Sequence, residues 1–211
     1  MVKPMIIDTH IHECTYSQDS TLCLEEIVDR ARNLGLDGVC ITDHDSMDIS
    51  SKAKKYSQKT GFLILVGAEV LTYEGEIQVF GLPCLPKRRV RAQELLTEVG
   101  RHKAVAISAH PFRDNYRGLG SALRRVKGIS AVEAYNGNTM LRDNQAAYNI
   151  SLELDLPAVG ASDAHHANEI GRYATRFASH INDLSDFVEA IKRGMYHPVE
   201  LVGDVYREIL A

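Results

Sequence analysis

The stretch Met5-Ile6-Ile7-Asp8-Thr9-His10-Ile11-His12 sets a short apolar run directly against an acid and two imidazoles. Apolar runs of this kind read as buried strands, and here the polar chemistry begins where the strand ends. The arrangement recurs. Asp43-His44-Asp45 follows the run 38–42, Glu69 follows 62–68, His110 follows 105–108, Glu133 lies near the end of 129–134, and Asp163-Ala164-His165 follows 157–161. A further run, 177–181, carries no such motif. Between the first two runs, Leu24, Ile27, Val28, Ala31 and Leu34 repeat at helical spacing, with Gly35 placed to close the helix. Residues 46–60, stopped by Gly61, read as a second helix, and 92–99, 139–154 and 184–193 as three more, the last with Ser185 near its start and Gly194 just past its end. The segment 70–82 alternates about Glu74-Gly75 and predicts an inserted hairpin. No repeat, low-complexity tract or linker divides the chain, so residues 1–211 are read as one α/β domain. In parallel βα folds the strands' carboxyl ends emerge on one face. Six strands thus deliver imidazoles and carboxylates to one place.

Composition sets the outer bounds. The 211 residues include 24 Lys+Arg against 28 Asp+Glu, a net charge of −4, with 45% apolar and 25% charged residues, which excludes a disordered or collagen-like chain. The longest apolar stretch, 62–68, is far too short to span a bilayer. The opening Met-Val-Lys-Pro runs straight into an apolar strand without the features of a secretory signal, so a cytoplasmic protein is expected. Cys14, Cys23, Cys40 and Cys84 form no C-x-x-C pair, which argues against a zinc ribbon or redox couple and for free, mostly buried thiols. A mildly acidic balance gives no electrostatic footprint for long nucleic acid, although Lys87-Arg88-Arg89 and Arg124-Arg125 are local basic clusters. Nothing in the chain specifies an oligomeric state.

His10 and His12 are two apart, so on an extended strand both side chains point the same way, which is metal-ligand spacing. Taken alone the pair is equally well explained as two polar residues at a strand end. Asp43-His44 is as well explained by a solvated loop or by a helix cap from Asp45 or Ser46. His110 before Pro111 fits a strand-end histidine bonded to a backbone carbonyl, and Glu69 a buried ion-pair partner. The combination is harder to explain that way. Burying several such groups uncompensated costs about 2–7 kcal/mol for each polar group and more for each charge, and bound cations supply the compensation.

These motifs, Asp8-Thr9-His10-Ile11-His12, Tyr16-Ser17 with Asp19-Ser20, Ile41-Thr42-Asp43-His44-Asp45, Gly67-Ala68-Glu69, Ala109-His110-Pro111 and Gly160-Ala161-Ser162-Asp163-Ala164-His165, resemble in order and content the PHP (polymerase and histidinol phosphatase) superfamily. The resemblance spans residues 8–165. It implies a distorted seven-stranded β/α barrel of the TIM-barrel-like kind, with two or three divalent ions, Mn, Zn or Fe, at the strands' carboxyl ends. It further implies that His10, His12, Glu69 and Asp163 hold one metal, that Glu69 bridges to a second bound by His110, and that His44, His165 and Asp19 take a third. Asp19 stands where some members have histidine. Gln78 also stands where many have histidine, and its amide is a poorer ligand.

The chemistry implied is hydrolysis of a phosphoester by a metal-bound hydroxide formed from a bridging water. Asp8, Asp43 and Asp45 are candidates to orient ligand imidazoles. His165, His44 and His12 are each candidates for the general acid. Arg113, on the loop after His110, is suited to grip phosphate, with Arg172 a second candidate of the same kind. Glu133 and Asn136 are placed to contact substrate or to cap a turn, and Tyr16 to stack on a base or to pack. His166 is a spare histidine of the same loop, while His102, His180 and His197 are expected at the surface. The leading expectation is a small phosphorylated metabolite or nucleotide as substrate, since 211 residues leave little beyond the barrel. A nuclease or nucleotide phosphodiesterase is the alternative enzyme, and a non-catalytic metal-binding regulatory module the alternative of another class.

Overall fold

The computed structural model describes residues 3–209. Strand β1 (Met5–Ile11) leads into helix α1 (Leu24–Asn33), and β2 (Gly38–Ile41) into α2 (Ser50–Thr60). Next come β3 (Leu63–Val66), β4 (Ala68–Leu71), β5 (Glu76–Phe80), α3 (Ala92–Arg101) and β6 (Val105–Ser108). A short 3-10 turn (Gly120–Arg124) precedes β7 (Ala131–Asn136), α4 (Leu141–Glu153) and β8 (Ala158–Ala161). Finally β9 (Tyr173–Phe177), α5 (Leu184–Arg193) and the hairpin β10 (Tyr196–Val202) and β11 (Val205–Glu208) complete the described chain.

The strands form two mixed sheets, β11-β10-β9-β1-β2-β3 and β4-β5-β6-β7-β8, and among the described residues no sheet closes on itself. The expected seven-stranded barrel therefore resolves into two sheets that abut at two seams. At one, Asp163 N–H donates to His10 O at 2.8 Å and His12 N–H to Ala164 O at 3.1 Å. At the other, an isolated bridge joins His44 to Glu69. The second seam lies at Gly67. The run 62–68, expected as one strand, breaks there, and the chain packs so closely that a Cβ at Gly67 would stand 2.5 Å from the Phe80 ring and 2.6 Å from Val79 O. The chain leaves the first sheet and starts the second as the antiparallel pair β4–β5, which is the expected hairpin.

Helix expectations are met with shifted bounds. Gly35, Gly61 and Gly194 adopt positive φ beyond α1, α2 and α5, a conformation glycine takes without a Cβ clash. Helix α2 starts at Ser50 rather than at 46, and α5 is capped by Asp183, whose side chain accepts from Asp186 N–H at 2.9 Å. The run 177–181 is largely not strand; the strand ends at Phe177 and pairs antiparallel to β1. Of the four free cysteines only Cys40 is buried, contrary to expectation. Among the described residues, no helix is long and apolar enough to cross a membrane.

The space between the sheets has two layers. Its lower layer is apolar, built by Met5, Ile7, Cys40, Leu65, Phe80, Val105, Ile107, Ala131 and Val159 and closed by Phe187 and Ile191 of α5. Above it, at the strands' carboxyl ends, the buried residues are polar.

Candidate metal centre

Strand alternation alone would aim these residues wrongly. On β1, Met5 and Ile7 face the shared core and Ile11 the outer one, so two-residue periodicity would not carry even-numbered His10 and His12 inward. The β1–β2 register shifts between Asp8 and Ile11, which restores their direction. A second irregularity between Glu133 and Tyr135 of β7 lets both Glu133 and Asn136 face the same place. His110 and Asp163 have φ of 23° and 55°, strained for non-glycine residues at about 1–3 kcal/mol each.

At the centre, His10 Nε2 and His12 Nε2 are 3.0 Å apart. Asp163 Oδ1 is 3.1 Å from the latter and 3.3 Å from the former, and Glu69 Oε1 is 3.4 Å from His10 Nε2. Donor atoms about 3 Å apart are the edges of a coordination polyhedron whose bonds are about 2.0–2.2 Å. Each ring also has partners on its far side. His10 Nδ1 lies 2.9 Å from Glu133 Oε1 and 2.8 Å from Gln78 Nε2, and His12 Nδ1 lies 3.2 Å from Ser17 Oγ, whose hydroxyl donates to Asp43 at 3.0 Å. Against burial, Asp163, Glu133 and Glu69 hold the His10 imidazole well above its ordinary range, so a cation taking its Nε2 displaces a proton; the two Nε2 atoms and the carboxylate oxygens are then a donor set that fits a divalent cation.

A second group meets both oxygens of Glu69. His110 Nε2 is 2.9 Å from Glu69 Oε1 and 3.6 Å from Glu76 Oε2. His44 Nδ1 is 3.0 Å from Glu69 Oε2 and 3.9 Å from Glu76 Oε1. Toward the surface, His44 Nε2 lies 3.1 Å and His165 Nε2 3.5 Å from Asp19 Oδ2. Three sets of potential ligand atoms each lie within 4.8 Å of one another: His10, His12 and Asp163; His44, Glu69 and Glu76; and His12, His44 and His165.

Electrostatics follow from packing opposite charges out of water. Burial works to raise Glu69, but His10, His110 and His44 outweigh it and hold the carboxyl well below its ordinary range. Asp163 is likewise held down, against burial, by His10, His12 and Arg113. Burial works against charge on His44, yet Glu69, Asp19 and Glu76 keep its imidazole up at about 9. His12 is pushed down to about 4 by burial.

Glu133 and Asn136, expected to contact substrate or to cap a turn, are wholly buried, and Asn136 Oδ1 accepts from Asn138 N–H at 2.9 Å in such a turn. Glu133 accepts from His110 N–H at 2.7 Å, from Gln78 at 3.1 Å and from Asn136 at 3.0 Å. Both therefore support ligand groups from behind. Asp8, Asp43 and Asp45 touch no imidazole directly: Asp8 accepts from Ser162 and Gly171 N–H, Asp43 acts through Ser17, and Asp45 accepts from Leu71 N–H. Arg113 reaches the centre, bonded to Asp163 and to Asn136, whereas Arg172 is bonded to Gly137 O at 2.9 Å. Tyr16 is partly exposed beside the centre. His102 and His180 are exposed, as is His166, and His197 pairs with Glu208 at 3.2 Å.

Two contributors were not anticipated. Glu76, two residues before Gln78 on an alternating strand, faces the same side, so strand periodicity contained the signal. Arg117 is bound to Glu76, its Nε at 2.7 Å, and no sequence pattern marks that pairing.

The PHP domain family model matches residues 8–155, more than half of the chain, and the PHP-associated model matches residues 142–196. An uncharacterized Methanocaldococcus jannaschii protein, MJ1587, is 28% identical over 143 residues, 63% of this chain and 82% of that one. Among solved structures, PsfC from Pseudomonas syringae aligns with a TM-score of 0.75 at 19% identity, covering 96% of this chain and 94% of that one. A Bifidobacterium adolescentis protein assigned to the metal-dependent phosphoesterases aligns at 0.68 and 17%, covering 89% and 96%. A lesion-specific endonuclease of Pyrococcus furiosus aligns at 0.70 and 19%, covering 90% of this chain but 56% of that one, so the present chain spans about half its length.

Proposed function

The chain belongs to the PHP domain family, and from that premise we propose that it is a metal-dependent phosphoesterase. The observation that carries this reading is the convergence of His10 Nε2, His12 Nε2 and Asp163 Oδ1 at 3.0–3.3 Å, each ring held from behind. In this reading His10, His12, Asp163 and Glu69 hold one divalent ion, Glu69 and His110 with Glu76 a second, and His44 and His165 with Asp19 a third, the metals being Mn, Zn or Fe. Bound cations supply Lewis acidity, lowering the pKa of water toward neutrality and neutralising phosphoryl charge.

The chain's own residues supply position. Glu133 and Ser17 fix the two imidazoles so that their lone pairs meet. Arg113, its side chain 19% exposed at the rim, has Nε bonded to Thr139 and Nη2 to Asn136 and Asp163, which leaves Nη1 to meet a phosphoryl oxygen. Hydrolysis forms one phosphorus–oxygen bond from water and breaks the bond to the leaving oxygen, which takes up a proton. His165 places its Nδ1 3.0 Å from Asp163 O, so that its Nε2 serves either as ligand to a third cation or, with only two cations bound, as proton donor to the leaving oxygen, and not as both at once. His12, wholly buried, is the poorest of the three candidates to meet a leaving group.

The substrate is a phosphorylated metabolite or a nucleotide, and a phosphodiester of nucleic acid, for which the likeness in fold to a lesion-specific endonuclease speaks, is the second reading. Elemental analysis coupled to hydrolysis of an aryl phosphate and its diester with added Mn²⁺ or Zn²⁺ tests the proposal. Stoichiometric metal with ester cleavage, both lost in Asp163→Ala, is the expected result. Near-normal turnover by metal-depleted Asp163→Ala overturns it, and stoichiometric metal without cleavage of either ester favours a non-catalytic binding module.

A further inference from the structure

Glu76 is a buried acid that already holds a cation. Its side chain is 2% exposed, and one oxygen, Oε1, accepts from Arg117 Nε at 2.7 Å and also from Arg117 Nη2. That oxygen is the one 3.9 Å from His44 Nδ1, in the His44, Glu69 and Glu76 set of potential ligands. The other, Oε2, faces His110 Nε2 at 3.6 Å. Each carboxylate oxygen offers two lone pairs, and two N–H donors take both at Oε1. A metal ion meeting Oε1 must therefore displace the guanidinium, and one meeting Oε2 shares a carboxylate whose charge is already matched.

Arg117 is fixed along its whole length rather than resting on the surface. Glu76 N–H donates to Arg117 O at 2.6 Å, and Arg117 N–H donates to Asn115 Oδ1 at 3.0 Å. Its loop packs on the β4–β5 turn so closely that a Cβ at Gly75 would stand 2.5 Å from Gly118 C. The bonds to Glu76, with the charges of Glu76, Glu69 and Asp19, hold the guanidinium above its ordinary range, and arginine stays charged at any working pH. Those three acids are the ones assigned above to the second and third cations. Arg113, on the same loop, is bonded to Asp163 and Asn136 instead.

We infer that Arg117 stands in for a metal ion at the His44–Glu69–Glu76 cluster and, by holding Glu76, keeps the affinity for the second cation low. A group that must first release one partner binds another with an affinity reduced by the fraction of time it is free. The sign of the effect separates this role from structural support. Removing a residue that orients a ligand weakens metal binding, whereas removing a competitor strengthens it. The inference rests on the metal-centre reading and assigns the part that one further residue plays in it.

The test is a titration of the metal-free full chain with Mn²⁺ against a chromophoric chelator, for the wild type, Arg117→Gln, Arg117→Lys, Glu76→Gln and the double variant Glu76→Gln/Arg117→Gln. The weakest binding step is expected to tighten at least about tenfold in Arg117→Gln and by less in Arg117→Lys, which keeps the charge but not the fork. Adding Arg117→Gln to Glu76→Gln is expected to bring no such gain. Unpairing a buried carboxylate destabilises the metal-free fold, so Arg117→Gln is also expected to melt below wild type in EDTA and to rise further on adding Mn²⁺. Should it fail to fold, Arg117→Lys shows both effects in smaller measure. Unchanged or weakened binding in the Arg117 variants, an equal gain in the Glu76→Gln background, or a rise in melting temperature no larger than that of wild type overturns the inference. A wild type that takes up no Mn²⁺ refutes the metal centre itself, whereas uptake without the gain refutes the part given to Arg117 alone.

Discussion

Glu133 makes its contribution without touching the space it shapes. It faces His10 Nδ1 and accepts the backbone N–H of His110, so its loss frees two candidate ligands at once. Glu133→Gln is expected to weaken cation binding about 10–100-fold, the usual effect of removing a carboxylate behind a ligand imidazole, with unfolding by denaturant little changed. Competition against a chromophoric chelator measures this, and wild-type affinity would contradict the assigned support. His44 carries a pH prediction of definite sign. Burial opposes its charge, but Glu69, Asp19 and Glu76 hold it up at about 9, so at neutral pH a cation taking this ring must displace a proton. Apparent metal affinity is therefore expected to rise with pH, at about tenfold per unit for the His44 proton up to about 9 and more steeply where His10 and His110, also held above their ordinary range, give up theirs. Proton release on adding Mn²⁺ to a weakly buffered neutral solution checks it; absence of release excludes His44 as a ligand. His10, His12 and Asp163 were legible from their spacing and from their position at the carboxyl ends of apolar runs. The supports of Glu133 and Ser17 were not, because hydrogen bonds across 123 and 5 residues of sequence leave no local pattern.

Elements follow the hydrophobic pattern except where polar chemistry required a change of direction. Both β irregularities lie where core-facing apolar residues give way to His10 and His12 or to Glu133 and Asn136. Helix ends and the β4–β5 hairpin were readable because glycine and alternation mark them locally. The break at Gly67 was not readable, since the run 62–68 is continuously apolar and nothing nearby reveals the Phe80 ring that lies against it. Gly67→Ala is expected to destabilise the protein by about 1–3 kcal/mol, the range for overpacking a filled core, and to weaken metal retention because Glu69 lies two residues on. Chemical denaturation with elemental analysis reads both effects. Stability within about 0.5 kcal/mol of wild type, the range of innocuous substitutions, would mean that Phe80 yields without cost.

Across the whole molecule, the candidate ligands lie at both seams between the sheets: His10, His12 and Asp163 at one, His44 and Glu69 at the other. A cation shared across a seam binds the folded state alone. Added Mn²⁺ or Zn²⁺ at about a hundredfold above its Kd is therefore expected to stabilise the fold by about 2.7 kcal/mol, seen as a raised melting temperature that EDTA abolishes. An unmoved melting temperature would place the metal away from the seams. The amino-acid sequence by itself determined the α/β class, the order of most strands and helices, the family, and the concentration of imidazoles and carboxylates at strand ends. Those features are written in short-range periodicity and in motifs of a few residues. Only the tertiary structure decided that the strands divide into two sheets, that Glu133 and Asn136 stand behind the candidate ligands, and that Arg117 pairs with Glu76. Each of these depends on which distant side chains share a space, and that is settled by packing rather than by neighbours in the chain.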